Sequence, residues 1–449
     1  MTKNRTNLII FFSLLYIFSR VYFVLSEDVV FDSFDSIYYF DFKQINSFRL
    51  PIITLVFSVL QNHDLIVIFQ SVFSSLSWMS LVYIGIKKFN FKISKLFYFL
   101  ALISLSYSQV ILVRDSHLLS ESLTLSTSIF LVASTLNLKS HNLKSNLMFL
   151  FSLLLFSGVK STNSIVGLLI FIMYIFFISF QLKNKIITSK LFFPIIFVGV
   201  LLINFGHSTL SSSISAQLNT SAIINFRVWG NDSWKEYLLD SNYPPELRTI
   251  WRDRQNYNLG QTPDQGVVNE LIYQNWWNEG GSNFLVKFMI DHPTYTLAGP
   301  FILPKLNLRT DYSYTLIHAW AQDPRINLEI LKFDLPTNIL WQEERLAAYV
   351  SVIVFLAILG FYFLLSQFKH FNFNTSVVFR LCVVMIFLMF WSYFSWWFGS
   401  KPGTDILRHQ EMPAVLIRII LIFSITQIIE SLTKSIKIRG DGNLNKLGH

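Results

Sequence analysis

DLIVIFQSVFSSLSWMSLVYIGIKK, residues 64–88, decides what kind of protein this is. No charge interrupts it between Asp64 and Lys87, so it reaches the ~20 residues a helix needs to cross a bilayer. Two lysines close it, as expected where a span meets the cytoplasm.

Stretches of this kind recur. The 449 residues are 52% hydrophobic and 14% charged, with 45 Phe and a mean hydropathy of +0.46. A soluble chain would carry about 25% charged residues. The fold expected is an all-α polytopic membrane protein. Length and apolarity give about ten spans: 7–25, 64–86, 96–114, 117–136, 146–159, 162–182, 191–209, 346–366, 377–398 and 412–431. A further apolar piece, 49–60, is too short to cross and is expected at the interface or re-entrant.

Charge supports this count. With the N-terminus inside, the inner connections hold Lys3 and Arg5; Lys87, Lys88, Lys92 and Lys95; Lys139 and Lys144; Lys183, Lys185 and Lys190; Lys369 and Arg380; and Lys434, Lys437 and Arg439. The outer ones are an acidic 26–47 loop, Arg114-Asp115, Lys160, a long 210–345 segment and 399–411. That alternation is the positive-inside pattern, and it puts both termini in the cytoplasm. Four regions follow: a membrane module over 1–209, a mixed soluble outer domain over 210–345, a second module over 346–431 and a tail over 432–449. Within the outer domain, FLVKFMIDHPTYTLAGPFIL (284–303) holds Lys287, Asp291, His292 and Pro293, which make a lone crossing costly. An amphipathic helix resting on the membrane is expected there. Trp276-Trp277 and Trp396-Trp397 are expected as interfacial anchors, the first pair also suiting a sugar ring.

The net charge of +9 follows from those loops and needs no nucleic-acid partner. One cysteine, Cys382, excludes an internal disulfide. No phosphate-binding glycine loop and no dinucleotide fingerprint occur, and no His or Cys pair suggests a structural metal. No small-residue cleavage site follows the first segment, since Ser26-Glu27-Asp28 is acidic; an uncleaved first helix is expected. Richness in Lys, Asn, Ile and Phe suits an AT-rich bacterial genome, hence the inner (plasma) membrane.

Four polar constellations fall on the outer side. The first loop holds Glu27, Asp28, Asp32, Asp35 and Asp41. In VRDSHLLSESLTLSTS (113–128), His117, Glu121, Thr124 and Ser128 form one stripe on a helix. That helix starts near Ser116, and its positive N-terminal end beside Arg114 would attract an anion. A carboxylate such as Glu121 inside a membrane faces a cavity or a partner, so binding and simple helix gluing both remain open. GVKSTN (158–163) places Lys160 at an outer turn, where snorkelling is the plain reading. GSKPGTDILRHQEMP (399–413) crowds Lys401, Asp405, Arg408, His409 and Glu411 before the last span, which suits an anionic ligand or ordinary salt bridging.

In this order, these pieces resemble the GT-C class of membrane glycosyltransferases, among them protein O-mannosyltransferases, the aminoarabinose transferase of lipid A and bacterial relatives. The D-S-x-x-Y motif of the first loop is matched by Asp35-Ser36-Ile37-Tyr38-Tyr39, and the Pro-containing apolar helix after it by FRLPIITLVFSVL (48–60). Ser120-Glu121-Ser122-Leu123 is similar to a T-E-S-L motif. Lys160-Ser161-Thr162 is similar to an R/K-P-T motif with Ser in place of Pro, and Arg408-His409 to an R-Y or R-H pair. The chain departs from the class in having no adjacent acids in its first loop other than Glu27-Asp28 and in carrying its large outer segment internally, as O-antigen polymerases do.

The resemblance implies inverting transfer of a sugar from a polyprenyl-phosphate donor to a hydroxyl of a glycan, lipid or protein. Asp35 is the implied base, with Asp32 and Asp28 in reserve. Arg114, Lys160, Lys401, Arg408 and His409 would contact the donor, with Glu121 orienting His117 or a cation, or binding the sugar. No resident cofactor is implied, and a divalent metal is not indicated. The competing expectations are a polymerase using lipid-diphosphate-linked units and a non-enzymatic flippase or transporter.

Overall fold

The computed structural model describes residues 3–26, 51–116, 118, 120–139, 142–180, 185–211, 213–255, 263–298, 397, 415–416, 418–430, 432–434 and 436. Among them every regular element is helical and there is no strand. The mixed character expected of the 210–345 segment is therefore absent from its described part.

Helices α1 (Lys3–Ser26), α2 (Pro51–Leu60), α3 (His63–Ile86), α4 (Lys92–Ser106), α5 (Gln109–Ser116), α6 (Ser120–Asn137), α7 (Leu143–Ser157), α8 (Ser161–Phe180) and α9 (Lys185–Ser211) form the bundle. His63–Ile86, Thr162–Ser179 and Ser189–His207 are each long and apolar enough to cross a membrane. Ile10–Leu25 and Leu143–Ser157 are apolar but shorter. The expected spans 346–366 and 377–398 lie outside the described residues except for Trp397, and 412–431 is described in part.

The bundle is apolar outside, and within its apolar core it also buries charged and hydroxyl side chains. Phe12, Phe18 and Phe193 are exposed, the last by 78%, while Arg20 is 0% exposed. A chain in water would not fold this way, because apolar surface is what burial removes; in hydrocarbon the same arrangement carries no penalty. Fourteen of the eighteen residues of α6 are buried, which puts that helix at the centre. It packs on α3, α5 and α7, and α1 joins it through α3 and α5. Small hydroxyl residues make these approaches close. Ser75, Thr127 and Ser128 return their hydroxyls to carbonyls of their own helices, and the Ser134 and Ser152 hydroxyls bond each other across α6 and α7 at 2.6 Å.

The sequence predicts one span over 96–114; the chain instead breaks between α4 and α5 at Tyr107-Ser108. The cause is chemical. Arg20 Nη1 donates to the Ser106 carbonyl at 2.6 Å, and that carbonyl is the one a continuous helix would offer onward. Ser108 then restarts the chain, its carbonyl accepting from the Ile111 and Leu112 amides.

A second cluster occupies 213–298. Helix α10 (Ser213–Ile223) runs into a π turn, Ile224–Val228, followed by α11 (Asp232–Asp240), α12 (Glu246–Gln255), α13 (Pro263–Val268), α14 (Leu271–Asn278) and α15 (Phe284–Asp291). Its core is aromatic: Tyr243, Trp251, Tyr273, Trp276, Trp277, Phe284, Phe288 and Tyr295. Trp276 and Trp277 are thus 4% and 8% exposed, core residues where interfacial anchors were expected, with Trp276 Nε1 donating to the Ser241 carbonyl at 3.1 Å. The long amphipathic helix expected over 284–303 stops at Asp291, because Pro293 disfavours helical geometry at the residue before it. His292 has φ −118° and ψ 71°. Residues 299–303 lie outside the described set.

Gly281 lies flat on an indole: a Cβ there would come 2.6 Å from Trp276 Cδ2. Gly281→Ala is expected to destabilise this cluster by roughly 1–3 kcal/mol through overpacking, read as an earlier tryptophan-fluorescence melt.

Candidate functional site

A seam of buried polar groups runs through one end of the bundle, and it starts from a single arginine. Arg20 is the one charge in α1 after Arg5. A lone cation in a hydrophobic helix must find partners, and this one finds four. Its Nη2 meets Asp115 Oδ2 at 2.5 Å and Ser74 Oγ at 3.0 Å; its Nη1 donates to the Ser106 carbonyl at 2.6 Å and to the Tyr16 hydroxyl at 3.3 Å. Both charged side chains are 0% exposed. Asp115 accepts a further bond from Ser122 Oγ at 2.8 Å. One ion pair therefore fastens α1, α3, α4, α5 and α6 together.

The first turn of α6 continues the seam. Ser122 faces Asp115, while Glu121 turns the other way and accepts from Lys160 Nζ at 3.0 Å. Ser120 Oγ adds a weaker bond to Glu121 Oε2 at 3.3 Å. One turn further on, Thr124 Oγ1 accepts from Asn163 Nδ2 at 3.5 Å, and the same amide donates to the Phe156 carbonyl at 3.0 Å. Arg114 is buried in the last turn of α5, where a cation complements the helix dipole. The side chains of Lys160 and Glu121 are 15% and 8% exposed, so Lys160 is more open than Arg20, which is 0% exposed. An anion arriving from outside would meet it before Arg20.

Of the sequence-predicted site residues, Arg114, Glu121 and Lys160 come to the same end of the bundle. The stripe of Glu121, Thr124 and Ser128 is buried on α6; Ser128 satisfies itself within its helix. Asp28, Asp32, Asp35, His117, Lys401, Arg408 and His409 lie outside the described residues. The segment bearing those three aspartates begins after Ser26, six residues after Arg20, and ends before Pro51. Just beyond it the Ile52 amide donates to the Gly158 carbonyl at 3.2 Å, two residues from Lys160.

Other contacts give the two ends of the bundle distinct neighbours. The Asn90 and Phe91 amides donate to Glu430 at 2.8 and 3.2 Å, and Phe423 packs on Phe89 and Tyr98. Connections that charge assigns to the inner side thus meet one another. Ile52, Gly158, Lys160 and Glu121, assigned to the outer side, meet at their own end. Trp397, at the outer end of an expected span, donates to the Thr296 carbonyl at 2.9 Å, in the cluster that charge also places outside.

Arg20 and Asp115 were not singled out by sequence. The signal was present in an isolated arginine inside an apolar run, which demands a carboxylate elsewhere in the membrane. Among the described residues no group of three or more His, Cys, Asp or Glu is arranged to hold a metal. No family model, curated protein or solved structure matches the chain.

Proposed function

We propose that this chain is a ten-span membrane glycosyltransferase of GT-C type in a bacterial inner membrane. Both ends are cytoplasmic, and it moves a sugar from a polyprenyl-phosphate donor to a hydroxyl acceptor on the outer face. The observation that carries the reading is the gathering of Arg114, the Glu121–Lys160 pair and the start of α2, where the first loop ends, at one end of the bundle. An acidic segment tethered beside a lysine whose side chain is 15% exposed supports this chemistry.

In this mechanism Asp35 takes the proton of the acceptor hydroxyl, whose oxygen attacks the anomeric carbon as the bond to the lipid phosphate breaks. The configuration inverts. Negative charge grows on the departing phosphate, and fixed cations stabilise it most when water is excluded. Lys160 and Arg114 supply that charge, with Arg408, His409 and Lys401 from the loop before the last span. Glu121 holds Lys160 in place.

The test is donor choice. Membranes containing the chain are given labelled sugar on polyprenyl monophosphate or a labelled oligosaccharide on polyprenyl diphosphate. Transfer from the monophosphate is expected; transfer only from the diphosphate would make the protein a polymerase, and transfer from neither would remove the reading.

A further inference from the structure

The 213–298 cluster contains a cleft that the transfer chemistry does not use. Its volume is about 230 Å³, and Tyr237, Asn242, Trp276, Glu279, Phe284 and Lys287 are among its lining residues. Three pieces of backbone converge to form it. Helix α11 ends at Asp240 with Ser241 as its cap, and Asn242 turns the chain with φ +59°. Helix α14 ends at Asn278 with Glu279 as its cap, and Gly280 turns it with φ +135°, a conformation that other residues rarely adopt. The first turn of α15 closes the third side with Phe284 and Lys287, three residues apart on one helical face. Gly280, with open space where a Cβ would stand, keeps the opening free of a side chain.

The chemistry of this lining selects a ligand class. Two helix C-termini present the negative ends of their dipoles, and Glu279 adds a carboxylate, so an anion is disfavoured. Lys287 places an ammonium on the same cleft, which disfavours a metal cation. Glu279, Lys287 and Asn242 are all exposed, and together they offer both acceptors and donors. The Trp276 indole N–H is already spent on Ser241, and Trp276 and Phe284 are 4% and 3% exposed, so the aromatic face the cleft offers is that of the half-buried Tyr237. The Tyr237 hydroxyl is held as a donor to Asp291 at 2.6 Å, and burial and that carboxylate push its pKa up to about 12. Mixed hydrogen-bonding groups beside one aromatic face fit a neutral polyhydroxylated ring, whose C–H face packs on Tyr237 while its hydroxyls both give and accept.

We propose that this cleft binds a neutral saccharide and so narrows the acceptor of the transfer reaction to a glycan; that last step, and only that step, rests on the function proposed above. The experiment is saturation-transfer NMR on the full chain in lipid nanodiscs. The probes are mannotetraose, maltotetraose, cellotetraose and chitotetraose, with inorganic phosphate and calcium chloride as competitors.

Saturation is expected at the ring C–H protons of at least one oligosaccharide, undisturbed by phosphate or calcium. The Glu279→Ala/Lys287→Ala double variant should weaken that binding by roughly tenfold or more, as loss of a hydrogen bond to a charged group does. Both side chains are exposed, so the variant should melt with the parent. Asn242→Gly, which keeps the turn but removes the amide, should weaken binding in the same direction. Four silent oligosaccharides, unchanged binding in the double variant, or displacement by phosphate or calcium would each overturn the proposal. Binding that persists in a protein without transfer activity would remove the function proposed above and leave the cleft's assignment standing.

Discussion

Asp35→Asn is expected to lower sugar transfer by roughly 10²–10⁴-fold, the range lost when a general base is removed, with the amount of protein in the membrane unchanged. The size follows from the chemistry: a hydroxyl is a poor nucleophile until its proton has somewhere to go, and an amide cannot take it. The position follows from the tethers. Residue 35 lies between two fixed points, Ser26 at the end of α1 and Pro51 at the start of α2. The first stands six residues beyond the buried Arg20, and the second beside the Gly158–Lys160 turn. Asp32→Asn and Asp28→Asn should cost much less. Initial rates with labelled polyprenyl-phosphate sugar, compared at equal protein, separate the three; full activity in Asp35→Asn would transfer the role to another acid of the loop.

Asp115→Ala is expected to be the most destabilising single change in the bundle, by about 3–5 kcal/mol, because it strands a buried guanidinium. Arg20 is 0% exposed and its Nε already lacks a partner, so the remaining bonds to Ser74, Ser106 and Tyr16 cannot carry the charge alone. The informative control is the pair Arg20→Met/Asp115→Leu. Replacing both members of a buried ion pair by apolar groups is often neutral or even stabilising. Thermal melts in detergent should therefore place the double variant near the parent and the single variant far below it. A single variant that melts with the parent would show that water or another group reaches Arg20.

The helical class and the ends of most bundle helices were legible because apolar runs and lysine-closed turns are local properties of a chain. His63–Ile86 follows the unbroken run between Asp64 and Lys87. The break at Tyr107-Ser108 was not legible, since its cause lies 86 residues away at Arg20. The same holds for the candidate site. Glu121 and Lys160 were each readable as polar residues at the outer end of a span, but not as partners, because nothing local sets the distance between residues 39 apart. Trp276 misled for a related reason. An adjacent tryptophan pair suggests a membrane interface by composition, whereas only packing on Tyr243, Tyr273 and Phe284 makes it a core.

Helix α4 has no side-chain cap of its own: its N-cap position is Phe91. The oxygens that satisfy the open amides of Asn90 and Phe91 belong to Glu430, about 340 residues later. In synthesis order the start of α4 is made about 340 residues before the carboxylate that caps it, and that contact closes only once residue 430 has been added. Residues 90–91 and 430 are thus joined in time as well as in space, the later one supplying acceptors to the part that was made first.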